Sequence, residues 1–295
     1  MNPLPQSNAI RVFVTGAAGR LGATIVDTFR DTQVIAHDRT SLDITDAAAV
    51  STAVRTARPD VIINCAAFND VDGAESAPLA ALAVNAFAPR NLARAARETG
   101  AAFVHYSTDF VFDGKASQPY VEDSPPSPQS TYAASKLLGE WFALDAPLAY
   151  VLRVESLFGS APNWIGRTGT FDAIVAGIEA GREVRVFTDR IVSPSYVPDI
   201  AAATRHLVVT NAAPGLYHCV NEGQASWYDV AQAVASLLQA TPTLVPVSVH
   251  DVQLKARRPQ FCALSPGKLA SAGFAMPRWD DALRRWLQGR TSPAA

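Results

Sequence analysis

Two kinds of segment alternate along the first half of the chain. Short apolar runs occupy residues 10–15, 33–37 and 61–67. Between them lie segments in which apolar residues recur every three or four positions, which is the spacing of amphipathic helices. Continuous apolar strands that alternate with such helices are typical of parallel sheets covered on both faces. We therefore expect an α/β fold with a doubly wound parallel sheet.

The second half of the chain has a mixed pattern. Helical periodicity appears at 170–180, 199–209, 227–238 and 279–287, and short apolar runs appear at 184–187, 216–220 and 244–247. Neither an internal repeat nor a low-complexity linker divides the sequence. We therefore predict one domain over residues 1–155 and a smaller mixed α/β lobe over residues 156–295, interleaved with the first domain.

The composition is that of a globular protein without a polyanionic partner. Hydrophobic residues make up 48% of the 295 positions, and the formal net charge is -2. Acidic and basic residues are interspersed, so the sequence shows no basic stripe for nucleic acid or anionic lipid. The three cysteines are widely spaced, as in a reducing cytoplasm, and no apolar run reaches the ~20 residues of a membrane span. We expect a cytoplasmic protein that binds neither nucleic acid nor membranes.

A glycine-rich turn lies between the first predicted strand and the first predicted helix. Gly16, Gly19 and Gly22 follow the apolar run 10–15 and precede the helical pattern of 23–29. Glycines permit a tight turn close to a ligand, and a helix N-terminus offers unpaired amides to a pyrophosphate. Strand, glycine turn and helix in this order predict a Rossmann-type dinucleotide-binding site.

Two neighbouring residues after the second predicted strand give opposite signals about the cofactor. Asp38 can accept hydrogen bonds from an adenosine ribose, which favours NAD, whereas Arg39 can pair with a 2′-phosphate, which favours NADP. Asp43 and Ile44 either flank the adenine or belong to the capping segment of the next helix. These residues leave both coenzymes open.

Tyr132 and Lys136 lie four positions apart in a segment with a helical pattern, which Ser130 can cap and Pro147 ends. On a helix the two side chains project from one face, one turn apart. A positive charge beside a phenol lowers its pKa, so Tyr132 is a candidate acid for a carbonyl oxygen. The alternative is an ordinary amphipathic surface helix.

Hydroxyl and carboxylate side chains follow the predicted strand 103–106. They belong to Ser107, Thr108 and Asp109. Open α/β sheets bind ligands at the carboxyl ends of their strands, so these side chains are candidates for substrate contacts. The alternative is a Ser/Thr/Asp turn with a local structural role.

Further downstream the polar signals are weaker. Arg257 and Arg258 either clamp a diphosphate or form a solvated charge pair. The polar loop 163–169 either closes over a substrate or is an ordinary surface loop. The histidines lack ligand spacing, and we therefore assign no metal site.

Several motifs occur together in a fixed order. They are Gly16-x-x-Gly19-x-x-Gly22, Asn64-Cys65-Ala66-Ala67, Val71-Asp72-x-Ala74-Glu75-Ser76, Ser107-Thr108-Asp109-Phe110-Val111-Phe112-Asp113-Gly114, Tyr132-x-x-Ser135-Lys136 and Ser193-Pro194-Ser195-Tyr196. This combination resembles the extended short-chain dehydrogenase/reductase family, and within it the dTDP-4-dehydrorhamnose reductases. The similarity covers nearly the whole chain.

The resemblance implies an enzyme that reduces the 4-keto group of a nucleotide-linked 6-deoxyhexose, dTDP-4-dehydro-L-rhamnose first, and a homodimer is compatible with it. Family precedent favours NADP over NAD. Thr108, Tyr132 and Lys136 match the catalytic set, in which Thr108 binds the carbonyl, Tyr132 gives the proton and Lys136 holds the nicotinamide ribose. The expected cofactor contacts are Gly16, Gly19, Arg20, Leu21, Gly22, Asp38, Arg39, Asp43, Ile44, Ala66, Ala67, Phe68 and Asn69, with Tyr132 and Lys136. The expected substrate contacts are Thr108, Asp109, Ser156 and Arg258.

Three positions depart from the family pattern. Phe110 replaces a tyrosine, Gly73 replaces a lysine, and Ser156 stands where the family has a tryptophan against the deoxysugar. We therefore expect a remodelled sugar pocket, which keeps another nucleotide 4-keto sugar open as the substrate. A second alternative is a non-catalytic, dinucleotide-sensing subunit, since the same fold serves that role in the regulatory subunit of methionine adenosyltransferase.

Overall fold

The computed structural model describes residues 10–161, 164, 166 and 169–291. The strands are β1 (Arg11–Thr15), β2 (Gln33–His37), β3 (Val61–Asn64), β4 (Ala102–Thr108), β5 (Ala149–Val154), β6 (Leu157–Phe158), β7 (Val184–Phe187), β8 (Ile191–Val192), β9 (Ser195–Tyr196), β10 (Gly215–His218), β11 (Ala225–Ser226) and β12 (Leu244–Val247). The helices are α1 (Arg20–Thr28), α2 (Ala47–Ala57), α3 (Val71–Ser76), α4 (Pro78–Leu82), α5 (Ala88–Thr99), α6 (Thr131–Leu144), α7 (Thr170–Glu179), α8 (Val197–Val209), α9 (Trp227–Leu237), α10 (Gly267–Ser271) and α11 (Trp279–Thr291). Among the described residues, no helix has the length and apolar character needed to cross a membrane.

A parallel sheet of six strands forms the centre of the fold, in the order β2-β1-β3-β4-β5-β10. Strands β3, β4 and β5 are buried at every position, as parallel strands are when helices cover both faces. The order reverses between β1 and β3, because the chain places β2 on one side of β1 and then returns to the other. Open α/β sheets bind ligands in the crevice at such a reversal. The predicted doubly wound α/β fold is confirmed.

Alternate residues of each strand pack against different helix layers. Val12 and Val14 of β1 share a core with Ile25 of α1 and Ile200 of α8. Phe13, between them, packs on the opposite face in the core that includes α2 and α5. This period of two follows from the pleat of a strand, and it makes the sheet the middle of three layers.

The residues after β5 build a second core. Phe158, Phe171, Trp227 and Trp286 are the large side chains of this core, which joins α7, α9 and α11 to the β7–β12 pair. Strand β10 lies outside this second core, because it pairs with β5 and completes the central sheet. The predicted division at residue 155 remains a prediction, and the sheet takes its sixth strand from beyond that position.

A buried ion pair joins α6 to the sheet. Arg153 of β5 donates to both carboxylate oxygens of Glu140 on α6, at 2.9 and 2.8 Å. The two side chains are 3% and 2% exposed, and the guanidinium also lies 4.9 Å from the Phe112 ring centroid. Removing one partner leaves an uncompensated charge in the core, so this pair fixes the position of α6.

We expect Arg153→Met to lower the free energy of unfolding by about 3 to 5 kcal/mol, because Glu140 then stays buried without its partner. Arg30→Met is the matched control, since Arg30 pairs with Asp27 on the surface with 77% and 42% of the side chains exposed. The control should cost less than about 1 kcal/mol. Urea unfolding of both variants measures the difference, and equal losses would contradict this account.

Candidate active site

The glycine turn after β1 lies against the loop that follows β3. Gly16 has a φ of 70°, and a Cβ atom there would lie 2.5 Å from the backbone nitrogen of Ala66. A Cβ atom on Gly22 would lie 2.1 Å from the Gly16 carbonyl oxygen. Only glycine allows the turn and α1 to approach each other this closely. The close approach of the turn to α1 and to the loop after β3 therefore depends on glycine at both positions.

Three polar side chains link the carboxyl ends of β1 and β3 to the middle of β4. The Thr15 hydroxyl donates to Asn64 Oδ1 at 2.7 Å, and the Ala66 amide donates to the same oxygen at 3.1 Å. The Asn64 amide group lies 3.1 Å from His105 Nδ1. Burial, and then the charge of Lys136, hold the pKa of His105 well below its usual value. A neutral His105 can accept from Asn64, so these side chains fix the start of the loop at Ala66.

Asn85 connects that loop to α6. It lies in a π-helical turn, Ala83–Phe87, where its side chain accepts from the Phe68 amide at 2.8 Å. Its amide group donates to the Phe68 carbonyl and to the Ser135 hydroxyl, both at 3.0 Å. Sequence analysis did not identify Asn85 as a site residue. The sequence did contain a signal for an irregular helix at Asn85. Pro89 has no backbone N–H, so it cannot form the usual helical hydrogen bond to the carbonyl of Asn85, four residues earlier.

Helix α6 carries Tyr132 and Lys136 into the protein interior. It begins after Ser130, whose hydroxyl accepts from the Ala133 amide at 3.3 Å, as the sequence predicted. The Lys136 ammonium donates to the Tyr106 carbonyl at 2.5 Å and is 3% exposed. Burial lowers the pKa of Lys136 to about 8, against the opposing effects of Glu140 and Cys65. The ordinary surface-helix alternative does not fit this buried pair.

The surroundings of Tyr132 correct one prediction. Burial, followed by the nearby Asp109 carboxylate, raises the pKa of the phenol, and the interaction with the Thr108 hydroxyl opposes this only in part. The sequence interpretation predicted a lowered pKa from Lys136, which was the wrong direction. Thr108 also donates to Asp109 Oδ1 at 2.9 Å. Thr108 therefore lies between the phenol and a buried carboxyl group.

Asp38, one of the residues predicted to bind the adenosine, lines a cavity of about 970 Å³ beside the glycine turn. Its lining includes Ala17, Ala18, Asp38, Thr40, Ser41 and Trp164. Asp38 Oδ1 accepts from Thr40 and Ser41, and these hydrogen bonds lower its pKa to about 2, so it is charged at neutral pH. Arg39 beside it is exposed.

Asp43 and Ile44 have local structural roles. One Asp43 oxygen accepts from the amide and hydroxyl of Thr45. The Ile44 side chain is buried in the core under α2. Asp46, rather than Asp43, caps α2. Any adenine contact at Ile44 would therefore come from its backbone, and both assignments remain predictions.

Residues of the second lobe cover the glycine turn. Arg20 forms an ion pair with Asp172 of α7, and its guanidinium carbon lies 5.1 Å from the Trp164 ring centroid. The Trp164 indole donates to the Ala18 carbonyl at 3.0 Å. Leu21, in contrast, is a core residue. Of the predicted closing loop 163–169, only 164, 166 and 169 are described.

Two predicted substrate residues have unexpected surroundings. Both terminal nitrogens of Arg258 donate to Asp72, at 3.0 and 2.8 Å. Arg258 is therefore neither free to clamp a diphosphate nor part of a solvated charge pair with Arg257. Ser156 has a φ of 46° at the corner between β5 and β6. A tryptophan there would have to adopt the same left-handed backbone, which is costly for a bulky residue. Their substrate roles stay predictions.

The family of the chain follows from comparison with known proteins. The family model described as RmlD substrate binding domain matches residues 10–291. The chain belongs to this family. The resemblance predicted from the sequence motifs is thereby confirmed.

Relatives of this RmlD-family chain match it over nearly its whole length. A Streptomyces griseus protein named dTDP-4-dehydrorhamnose reductase is 36% identical, covering 99% of this chain and 94% of the relative. A Streptomyces antibioticus protein named probable dTDP-4,6-dihydroxy-2-methyloxan-3-one 4-ketoreductase is 37% identical, covering 93% and 94% of the two chains. The crystal structure of dTDP-4-dehydrorhamnose reductase from Bacillus anthracis in complex with NADP has a TM-score of 0.89 at 32% identity, covering 95% of this chain and 99% of that one.

The other departures of this RmlD-family chain have local explanations. Phe110 packs edge-on against Tyr132, with ring centroids 5.8 Å apart. The Gly73 amide donates to the Asp70 carboxylate at 2.9 Å, and a Cβ atom on Gly73 would lie 2.3 Å from that carboxylate. Phe110 therefore supports the phenol by packing alone, and Gly73 accommodates the cap of α3.

We expect Gly22→Ala to lower dinucleotide affinity at least about tenfold, or about 1.4 kcal/mol, because backbone must move to clear the new methyl group. Gly289→Ala is the control, since a Cβ atom at Gly289 of α11 meets nothing within 4 Å. Equilibrium titration of both variants with NADPH compares them. Unchanged affinity in Gly22→Ala would show that the turn does not bind the cofactor.

Proposed function

We propose that this chain reduces the 4-keto group of dTDP-4-dehydro-L-rhamnose with NADPH. The observation that supports the proposal is that Thr108, Tyr132 and Lys136 are all buried, with the Thr108 hydroxyl against the Tyr132 phenol and Lys136 bonded to the Tyr106 carbonyl of β4. The Streptomyces griseus relative bears the name of this activity, and the Bacillus anthracis neighbour holds NADP. Cytoplasmic location, a homodimer and the absence of a nucleic-acid partner are parts of the same proposal.

The residues around the crevice fit a dinucleotide. The backbone of Gly16 and Gly22 leaves room where side chains would collide, and the N-terminus of α1 offers amides to a pyrophosphate. Arg39 is the exposed cation beside Asp38 for a 2′-phosphate. Bound NADPH supplies a hydride to the sugar carbonyl carbon. The protein holds the nicotinamide ribose through Lys136.

The protein also supplies the proton that the sugar oxygen gains during the reduction. When the sugar binds, the Thr108 hydroxyl turns from Asp109 Oδ1 to the sugar carbonyl oxygen, and Tyr132 gives that oxygen a proton as negative charge develops. The raised pKa of Tyr132 keeps the phenol protonated throughout the neutral range. Burial of all three groups strengthens these interactions, because the local dielectric constant is low.

A different nucleotide 4-keto sugar is the second candidate substrate. Ser156 favours it, since serine leaves room where the family has an indole. The Streptomyces antibioticus relative, named for the ketoreduction of a different sugar, supports the same alternative. The non-catalytic dinucleotide-sensing role is the remaining rival. A panel of nucleotide 4-keto-6-deoxysugars decides between these three, because turnover of none would favour the sensing role.

Tyr132→Phe keeps the ring packed on Phe110 and removes only the acid. We expect kcat for the preferred sugar to fall roughly 10²- to 10⁴-fold, while NADPH affinity is retained. Tyr228→Phe is the control, since Tyr228 lies in the core around α9. NADPH oxidation and NADPH titration are measured on both. A Tyr132→Phe variant with normal turnover would exclude Tyr132 as the acid.

The charge of Lys136 should appear in the pH profile. Its folded-state pKa is lowered to about 8, so the ammonium is present below that value and is lost above it. We expect kcat/KM for NADPH to fall about tenfold per pH unit above that value, as for a single ionisation. In Lys136→Arg, which keeps its charge, the fall should disappear. A wild-type rate that stays level to about pH 10 would contradict the assignment.

A further inference from the structure

Two buried carboxyl groups lie behind the candidate active site. Asp109 follows β4 and Glu155 follows β5, and they are 4% and 3% exposed. An oxygen of each and the sulfur of Cys262 all lie within 4.8 Å of one another. Two carboxylates this close in a buried site cannot both ionise without a large cost, so the pair retains a proton.

The charges facing the pair set its protonation. Arg190, between β7 and β8, interacts electrostatically with Asp109, Glu155 and Cys262, and its buried Nε has no hydrogen-bond partner among the described residues. Burial raises the pKa of Asp109 to about 6, and burial with the Asp109 charge raises the pKa of Glu155 well above its usual value. Burial also raises the pKa of Cys262, which stays a neutral thiol. At neutral pH one shared proton and the charge of Arg190 make the cluster electrically neutral.

One Glu155 oxygen is available to carry the shared proton. Glu155 Oε1 accepts from the Ser193 amide at 2.6 Å. Glu155 Oε2 is buried and has no hydrogen-bond partner within the described part of the chain. A buried carboxylate oxygen without a donor costs more than a neutral carboxyl oxygen in the same place, because the charge adds to the desolvation penalty. This favours a protonated Oε2.

The pair is connected to the phenol. Thr108 donates to Asp109 Oδ1 at 2.9 Å and interacts through the same hydroxyl with Tyr132. We propose that the Glu155–Asp109 pair holds one proton, on Glu155 Oε2, and returns it through the Thr108 hydroxyl to Tyr132 after each reduction. This inference rests on the proposed reductase function. Glu155 acts through other residues and is therefore a positioning residue for the proton.

The steps balance without a further reactant. The O–H bond of Tyr132 breaks as the sugar oxygen gains the proton, which leaves a phenolate. The Glu155 proton first moves to Asp109. The Thr108 hydroxyl then turns from Asp109 Oδ1 to the phenolate, gives it a proton and takes the proton from Asp109. The pair is then doubly ionised, and one proton from solvent restores it after product release. Arg190 limits the cost of that state and disfavours a divalent cation at the same place.

Comparing the first turnover with later ones tests the proton relay separately from the reduction step. The first turnover uses the proton already on Tyr132, and later turnovers need the relay. In Glu155→Gln we expect a normal rate of single-turnover NADPH oxidation with the preferred sugar, unchanged KM for NADPH, and a steady-state kcat about 10²-fold lower. Glu155→Asp, which keeps an acid, should restore part of kcat. Glu122→Gln is the matched control, since Glu122 also accepts from a backbone amide, that of His218, and burial raises its pKa too.

A spectroscopic measurement makes the test independent of turnover and of the proposed substrate. The infrared carbonyl band of a protonated carboxylic acid should be present at pH 7 in the wild type and in Glu122→Gln, and absent in Glu155→Gln. Absence of the band from the wild type overturns the shared proton, even if Glu155→Gln does not fold. Equal steady-state kcat in wild type and Glu155→Gln overturns the relay while the reductase function stands. A stoichiometric metal ion bound at Glu155 overturns both the shared proton and the relay.

Discussion

The side chain of Asn85 holds both sides of the candidate site with one set of hydrogen bonds. It bonds to both backbone groups of Phe68 on the cofactor side and to Ser135 on α6. A Cβ atom on Gly139 would lie 2.1 Å from the Asn85 carbonyl oxygen, so α6 cannot pack here with a larger residue. The distance from the dinucleotide crevice to Tyr132 and Lys136 therefore depends on this contact and on the Arg153–Glu140 ion pair, which anchors the neighbouring residue of α6 to the sheet.

Much of the fold could be predicted from local sequence. The apolar runs at 33–37, 184–187 and 244–247 give the bounds of β2, β7 and β12. Ser130 gives the start of α6 because an N-cap is a contact between near neighbours. The partner of β10 could not be predicted in this way. Its pairing with β5 joins residues far apart in the chain. The sequence of a short apolar strand does not specify which strand it pairs with.

The electrostatics of the site could be predicted only in part. The sequence showed the residue types, and the structure buries Thr108, Tyr132 and Lys136, whose roles remain predictions. The direction of the Tyr132 pKa shift was not readable, because it depends on how much water the fold removes and on Asp109. Glu155, Arg190 and Cys262 were missed for the same reason, since distant segments bring them together.

Trp164 gives the molecule an internal optical reporter. Its indole lines the cavity beside Asp38, donates to the Ala18 carbonyl and stacks near Arg20, so it borders the space that an adenosine ribose and pyrophosphate would enter. Indole fluorescence responds to local charge and solvent. Arrival of a dinucleotide therefore alters the emission of Trp164 before any chemistry occurs, so cofactor binding can be followed without a sugar substrate.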